Sequence, residues 1–478
     1  MNIIKPLISV SLIVILTMLF SCNAEKPKSN KAVIKGSFTE FEGLRAIIKS
    51  TSPYQLSADT LKTDANGNFI FETKIENPTY YKLSFAGRRP SLSLYLRPGD
   101  SLLITAESVG KIMKTVRFGG NAPIYNDFLF RSEDITSVLN RSLMSILGQE
   151  ESEAMSSIDS VRALHADEIA ALQKGNSNID PYFIKIESAK ALYGWAILHS
   201  LYPDYYNYIH KLSGDNKIKL SPEFDTYLAE VNLNDQELIS LPIYLDFLQK
   251  YIRADYEKFY ESELETQYGS YANYQLKILN DKIENNEIKA ILAYRSIDDQ
   301  VKYQGSKEKA TYWGIFDELC TNKELKSDIE NKIAKWAHLE KGQPIKEVKM
   351  QTIDGTPVTF AEFKGKWIYI DIWATWCNPC RKEIPTLKKL EKQFHGQDIV
   401  FMSISVDRQP TPWKKMVTGQ ELKGIQVWAG QNDVIKNHYK VNGIPRFMIF
   451  DPQGNIYDAN AKRPSMGIET LIEDLLKK

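Results

Sequence analysis

The 478-residue chain reads as a multidomain protein: an N-terminal β-sandwich, a central α-helical region and a C-terminal α/β domain. Three observations predict this. From about residue 32 to 120, short runs alternate apolar with polar residues between turn signals, the pattern of half-buried strands. From about 121 to 340, apolar residues recur at helical spacing. From 343 to the end, strand-like runs alternate with helix-like segments, an order that builds a mostly parallel sheet. The length calls for two or three domains, and a hydrophobic content of 43% supplies their cores. Lys plus Arg and Asp plus Glu balance at 60 each, so no basic excess points to nucleic acid.

Residues 1–21 read as a targeting segment. Lys5 supplies a positive flank, and residues 7–20 are almost wholly apolar, too short for a membrane span of about 20 residues. The segment ends in Leu19-Phe20-Ser21-Cys22, which resembles the lipobox of bacterial lipoproteins. That resemblance implies cleavage before Cys22, acylation of its sulfur, and a lipid anchor in the cell envelope. Asn23, in place of Asp, favours by the same analogy the outer membrane, facing the periplasm. Residues 22–31 read as a polar tether. An exported protein meets an oxidising compartment where disulfides persist.

In the β-rich region (32–120), the runs Ala32-Val33-Ile34-Lys35-Gly36 and Leu92-Ser93-Leu94-Tyr95-Leu96 read as strands. Asn66-Gly67 reads as a hairpin turn, and Pro98-Gly99-Asp100 as another turn. Asp64-Ala65-Asn66-Gly67 is not a calcium loop, because Ile75 stands where the twelfth-position Glu is needed. In the helical region (121–340), Leu325, Ile329, Ile333 and Trp336 share one face, as do residues within 188–193 and 239–251. Tyr202, Tyr205, Tyr206 and Tyr208 read as core and amphipathic surface rather than a ligand cluster. Cys320 reads as a buried, inert thiol. Lys341-Gly342-Gln343-Pro344 breaks the last helix and opens the linker to the C-terminal domain.

The C-terminal domain (343–478) begins with a hairpin turning at Asp354-Gly355. The expected order is then strand 367–373, helix 377–394, strand 399–406, helix 412–418, strand 425–428, helix 433–439, strand 447–450, strand 455–458 and a helix from Ser465. Between the first long strand and its helix lies Trp376-Cys377-Asn378-Pro379-Cys380. Two thiols three apart on a first helical turn can close and reopen a disulfide. The unpaired N–H groups and dipole of that turn favour a thiolate. Cys377 is expected at the exposed helix start as the attacking thiol, and Cys380 inside as the resolving thiol. Pro379 suits the first turn, where its missing N–H costs nothing. Zinc needs further Cys or His ligands, and this domain offers only His395 and His438, so no metal is assigned.

Asp371 sits within the apolar run Ile368-Tyr369-Ile370-Asp371-Ile372. A buried acid needs a partner or a task; proton exchange with Cys380 is such a task, and a capped or edge-facing Asp is the alternative. Glu383 falls one helical turn beyond Cys380, placed either to tune thiol acidity or as a solvated carboxylate. Ile444-Pro445 at the entrance to a buried strand suggests an edge or a cis bond.

These residues resemble the thioredoxin-fold thiol–disulfide oxidoreductases of the TlpA/ResA-like group, which includes cytochrome-c-maturation thioredoxins. The likeness rests on Gly365-Lys366, the run from Trp373 to Arg381, Glu383, Pro385, Val406-Asp407, Gly443-Ile444-Pro445 and Asp451-Pro452-Gln453-Gly454. It implies that Pro385 kinks its helix and that Pro445 is a cis-proline packed on the thiol pair. Asp371 then matches the buried acid of thioredoxins, and Glu383 an acid beside the site in cytochrome-maturation relatives. Trp376, Ile444 and Arg446 would border the client. Arg446 departs from the usual Thr; aimed at the disulfide it would favour the Cys377 thiolate, and otherwise it is a surface residue. The absence of a threonine at Ala374 argues against a peroxiredoxin. The resemblance implies protein thiol or disulfide clients, apo-cytochrome c among them, and a thiol–disulfide electron donor in the membrane. It implies no cofactor beyond the Cys377–Cys380 pair. A client-binding or chaperone-like lipoprotein with a secondary redox role, or a disulfide isomerase, is the competing expectation.

Overall fold

A computed structural model of the chain describes residues 30–38, 45–55, 58–85, 88–107, 112–121, 123–253, 259 and 263–477. The segment 1–21 expected to target the chain, Cys22 and most of the expected tether lie outside the described residues. The chain divides into two compact units, residues 1–50 with 57–133 and residues 51–56 with 134–478.

The first unit is a β-sandwich. Strands β1 (Lys31–Phe38), β2 (Arg45–Ser50), β3 (Asp59–Lys62), β4 (Asn68–Lys74), β5 (Thr79–Phe85), β6 (Arg88–Leu96), β7 (Ser101–Ala106) and β8 (Arg117–Gly120) form two sheets, in the orders β4-β1-β7-β8 and β3-β2-β5-β6. Alternation dictates the packing. Ala32, Ile34 and Phe38 of β1 meet Ala46 and Ile48 of β2, Leu83 of β5 and Leu94 of β6 in one buried cluster. Each large apolar side chain so buried contributes roughly 1.5–3 kcal/mol. The Asn66-Gly67 expectation needs correcting. The turn forms, with Gly67 N–H donating to the Asp64 carbonyl and Gly67 at φ 77°. Yet it does not make a hairpin between paired strands, because β3 pairs with β2 and β4 with β1. It is a corner between the sheets. The Asp64 carboxylate is spent on Asn66 and Asn68 N–H groups within that corner.

In the second unit, the helices Glu151–Gly175, Pro181–Ile209 and Pro242–Tyr251 pack in succession, followed by Tyr271–Lys282, Asn286–Gln304, Lys309–Leu319 and Lys323–Ala334. Their starts are chemically marked. Asp180 accepts the Tyr182 N–H ahead of Pro181, Asn285 accepts from Glu287 and Ile288, and Asn322 from Glu324 and Leu325. Leu325, Ile329, Ile333 and Trp336 are all buried, and so is Cys320. Burial pushes the Cys320 thiol up to about 11, where it is inert. Tyr202 and Tyr206 are buried, with their rings tilted at 49° and centroids 5.6 Å apart, whereas Tyr208 is exposed. Among the described residues, no helix is long and apolar enough to cross a membrane.

The C-terminal domain of that unit carries a seven-stranded mixed sheet in the order β10-β9-β13-β12-β11-β14-β15. Its strands are β9 (Met350–Gln351), β10 (Pro357–Val358), β11 (Trp367–Trp373), β12 (Ile399–Ser405), β13 (Ile425–Trp428), β14 (Arg446–Phe450) and β15 (Ile456–Asp458). β11 runs parallel to β12 and antiparallel to β14. Flanked on both sides, it is apolar along nearly its whole length, as a central strand must be. Helices Asn378–Gln393, Pro410–Gly419 and Glu469–Leu476 cover the faces. The expected helix near 433–439 is a single π-turn, Val434–His438. The closing helix begins at Glu469, after a 3₁₀ turn Pro464–Met466 and Gly467 at φ 76°.

Candidate active site

Cys377 and Cys380 are joined by a disulfide, with their Cα atoms 5.3 Å apart. Local sequence explains the position. β11 ends at Trp373, whose carbonyl accepts the Val406 N–H, and the chain then turns into the helix Asn378–Gln393. Cys377 is that helix's N-cap. Its Sγ accepts the Cys380 N–H at 3.2 Å, so one of the orphan donors of the first turn already points at the sulfur that would carry charge. Pro379 lies in the first turn and Pro385 farther inside the helix.

The Ile444–Pro445 peptide bond is cis, and the Ile444 carbonyl oxygen lies 3.7 Å from Cys377 Sγ. This brings together residues 67 positions apart. Cys377 and Cys380 pack with Trp373, Ala374, Trp413 and Val417, with Ile444 against them. One expectation fails here. Cys377 is not exposed at the helix start: it is 3% exposed, and its neighbour Trp376 is 70% exposed. The N-cap sulfur is folded back over its own helix, beneath the Ile444 loop.

Asp371 occupies the middle of β11, opposite Ser403 of β12 and Phe447 of β14. It is therefore on a central strand, not an edge. It is 5% exposed, and its Oδ1 has no hydrogen-bond partner among the described residues. Burial, then the charges of Glu383 and Glu391, hold its pKa well above the usual carboxylate range. Glu383 is neither solvated nor turned outward. It is buried, and it accepts hydrogen bonds from Ser465 N–H (3.0 Å) and Ser465 Oγ–H (2.8 Å). Through its charge it acts on Asp371.

Arg446 is neither a surface residue nor free to meet a client. It is 8% exposed, and its guanidinium donates to the Tyr303 carbonyl at 2.7 Å and the Lys440 carbonyl at 3.2 Å. It also lies over the Trp336 ring at 5.8 Å. Burial lowers its pKa to about 10. Asn442 Nδ2–H donates to the Lys302 carbonyl. The loop leading to Pro445 is thus tied at both ends to the helix Asn286–Gln304.

Two contributors escaped sequence reading. Asp407 is 3% exposed and accepts from Thr375 N–H, Thr375 Oγ–H and Ser405 Oγ–H, while its carbonyl accepts from Trp428 Nε1–H. It fixes the loop that delivers Trp376 and Cys377. Its place in the motif Val406-Asp407 was a signal; its partner was not legible. The other is Glu391, whose pKa burial raises to about 7. Among the described residues, no group of three or more His, Cys, Asp or Glu is placed to hold a metal.

A family model described as thioredoxin-like matches residues 365–456. The thiol-disulfide oxidoreductase ResA of Bacillus thuringiensis subsp. konkukian is 25% identical over 118 residues, covering 25% of this chain and 68% of that one. The thioredoxin-like protein YneN of Bacillus subtilis is 36% identical over 56 residues, 12% of this chain and 33% of that one. Among solved structures, the thioredoxin domain of a thiol-disulfide oxidoreductase from Bacteroides vulgatus is 27% identical with a TM-score of 0.27, covering 29% of this chain and 99% of that chain. The C-terminal domain is thioredoxin-like, and it is similar to thiol–disulfide oxidoreductases of the ResA/TlpA-like group. The protein is a thiol–disulfide oxidoreductase carrying β-rich and helical regions ahead of that domain.

Proposed function

We propose that this protein is a lipid-anchored, extracytoplasmic reductant of protein disulfides, working through Cys377 and Cys380. The observation that carries the reading is the Cys377–Cys380 disulfide at a helix N-terminus, with Ile444 and the cis-proline loop against Cys377. In the reduced protein, the Cys377 thiolate attacks one sulfur of a client disulfide and expels the other as a thiolate. Cys380 then attacks Cys377 in the mixed disulfide, releasing the second client sulfur and closing the Cys377–Cys380 bond. The client gains two electrons and the pair loses two. A thiol–disulfide donor in the membrane restores the dithiol. The exposed Trp376 indole offers the client an apolar contact. Pro445 and Ile444 align the client backbone beside Cys377, and Asp371 takes the Cys380 proton.

The envelope location is drawn from Leu19-Phe20-Ser21-Cys22 and the apolar run before it. Labelling of wild type with palmitate, lost in Cys22→Ser, is the result expected of an anchor at Cys22. Cys377→Ser is expected to abolish turnover of a protein disulfide in an insulin-reduction assay, a loss of at least a hundredfold. Turnover retained in that variant contradicts the assignment. A reduction potential near about −270 mV fits a reductant, and one near about −120 mV an oxidant.

A further inference from the structure

A small cavity lies between β11, the helix Asn378–Gln393, β12 and β13. Its volume is about 10 Å³, and Asp371, Trp373, Ser403, Gln426 and Glu391 are among the residues lining it. Three buried polar atoms of its lining residues have no hydrogen-bond partner among the described residues: Asp371 Oδ1, Trp373 Nε1 and Gln426 Oε1. Orphans of this kind are rare, because each gives up its bonds to water on folding and gains none in return. Three meeting at one cavity share an economical remedy. A space of roughly 10–15 Å³ accommodates one water, and a buried water typically makes two to four hydrogen bonds. Trp373 supplies a donor, Gln426 an acceptor, and Asp371 either role according to its protonation.

Glu391 lines the same cavity and is only part-buried. The backbone opposite makes room for it. Gly424 stands at φ 67°, and a Cβ there would fall 2.7 Å from Glu391 Oε1. The carboxylate is therefore held against a position that has no side chain.

We propose that this cavity holds one water linking the Asp371 carboxyl to Glu391, and that Glu391 is the outlet by which the proton leaving Cys380 reaches solvent. This rests on the exchange reaction proposed above. In the resolving step, Cys380 gives its proton to Asp371 as its sulfur attacks Cys377. Asp371 passes a proton to the water, the water passes one to Glu391, and Glu391 releases it to bulk, where the departing client thiolate takes one up. No electron moves along this path, and the charge on Asp371 is restored each turn. Glu391 acts through Asp371 and is a positioning residue, not one that touches the sulfurs.

The pH behaviour follows from the groups around it. Glu391 faces Lys388 on its own helix, Lys423 on the segment before β13 and Asp371 on β11; Glu383 also acts on Asp371. Burial raises the Glu391 pKa to about 7, with Lys388 opposing. Its accepting form therefore grows in as pH rises through neutrality.

The test uses the full chain. Single-turnover formation of the Cys377–Cys380 bond is followed from pH 5 to 9 after mixing the reduced protein with a small aromatic disulfide. Wild type is expected to show a rise centred near pH 7. Glu391→Gln, nearly isosteric, is expected to lose that rise and to run about three- to tenfold slower at pH 8, a fraction of the roughly hundredfold or greater worth of general base catalysis. In an Asp371→Asn background, Glu391→Gln should add no further loss. A high-resolution crystal structure should place a water within 3.2 Å of Asp371 Oδ1 and Gln426 Oε1. Wild-type turnover with an unchanged pH profile in Glu391→Gln overturns the relay alone, as do losses that multiply in the double variant. A cavity shown dry overturns the water link. No bond formation by wild type at any pH overturns both the relay and the exchange reaction on which it rests.

Discussion

At the scale of single residues, charge placement governs the site. Asp371 is ionisable, buried in a central strand, and raised well above the ordinary carboxylate pKa by burial and two neighbouring acids. A carboxyl whose folded pKa exceeds its unfolded value supports the fold fully below the unfolded value and loses that support as pH rises toward the folded one. Glu391, moving from 4.5 to about 7, adds a penalty of the same sign between those values. Asp371→Asn is therefore expected to raise the melting temperature more at pH 8 than at pH 5, by roughly 3–6 °C at the higher value, while slowing bond closure by Cys380. Calorimetry at the two pH values checks the first part, and an equal shift at both contradicts it. Asp407 acts through hydrogen bonds instead: its carboxylate accepts from Thr375 N–H, Thr375 Oγ–H and Ser405 Oγ–H. Asp407→Ala leaves the Thr375 N–H without its acceptor and should cost about 2–4 kcal/mol in urea unfolding.

At the scale of elements, the loop before β14 is the part most shaped by its neighbours. Asn442 and Arg446 fasten it to carbonyls of Lys302 and Tyr303 at the end of the helix Asn286–Gln304. Ile444, between them, packs beside Cys377. Arg446→Ala removes two hydrogen bonds and a ring contact, and should cost about 2–3 kcal/mol. Arg446→Met keeps the packing and sheds the cost of holding a buried cation, so it should lose less than half as much. Equal losses in the two variants, read from denaturant midpoints, contradict this account of the residue.

Legibility also differs between elements. β11 was readable because a strand covered on both faces is a continuous apolar run, and its ends coincide with Trp367 and Trp373. The CxxC turn was readable because its chemistry is local. What failed was information the local chain does not hold. Asn66-Gly67 makes a turn whichever sheet each flanking strand joins, so the corner looked like a hairpin. Cys377 exposure depended on Ile444, 67 residues away. Glu383 found Ser465, 82 residues away. Arg446 found a partner in Tyr303, 143 residues away. The π-turn at Val434–His438 and the 3₁₀ turn at Pro464–Met466 are too short to leave a period.

At the scale of the whole molecule, the redox domain occupies the C-terminal part of a unit that also holds the helices from residue 134 onward. Lys307 pairs with Asp458, Lys462 with Glu265, and His338 Nε2 lies 3.0 Å from the His438 carbonyl. Partly exposed ion pairs of this kind contribute little individually; Arg446 is buried. The β-sandwich has its own core and forms a separate unit. Among the described residues, redox chemistry can thus be assigned to one sulfur pair, with Cys320 buried and its thiol held up at about 11.

The most direct measurement is a trap. Cys380→Ala removes the resolving thiol, so a client captured by attack from the partner sulfur cannot be released. The reduced variant is incubated with a disulfide-bonded protein, quenched with acid, digested and read by mass spectrometry. The account predicts a mixed disulfide at Cys377 that is absent from Cys377→Ser/Cys380→Ala. No adduct at Cys377, or an equal yield at Cys320, contradicts it.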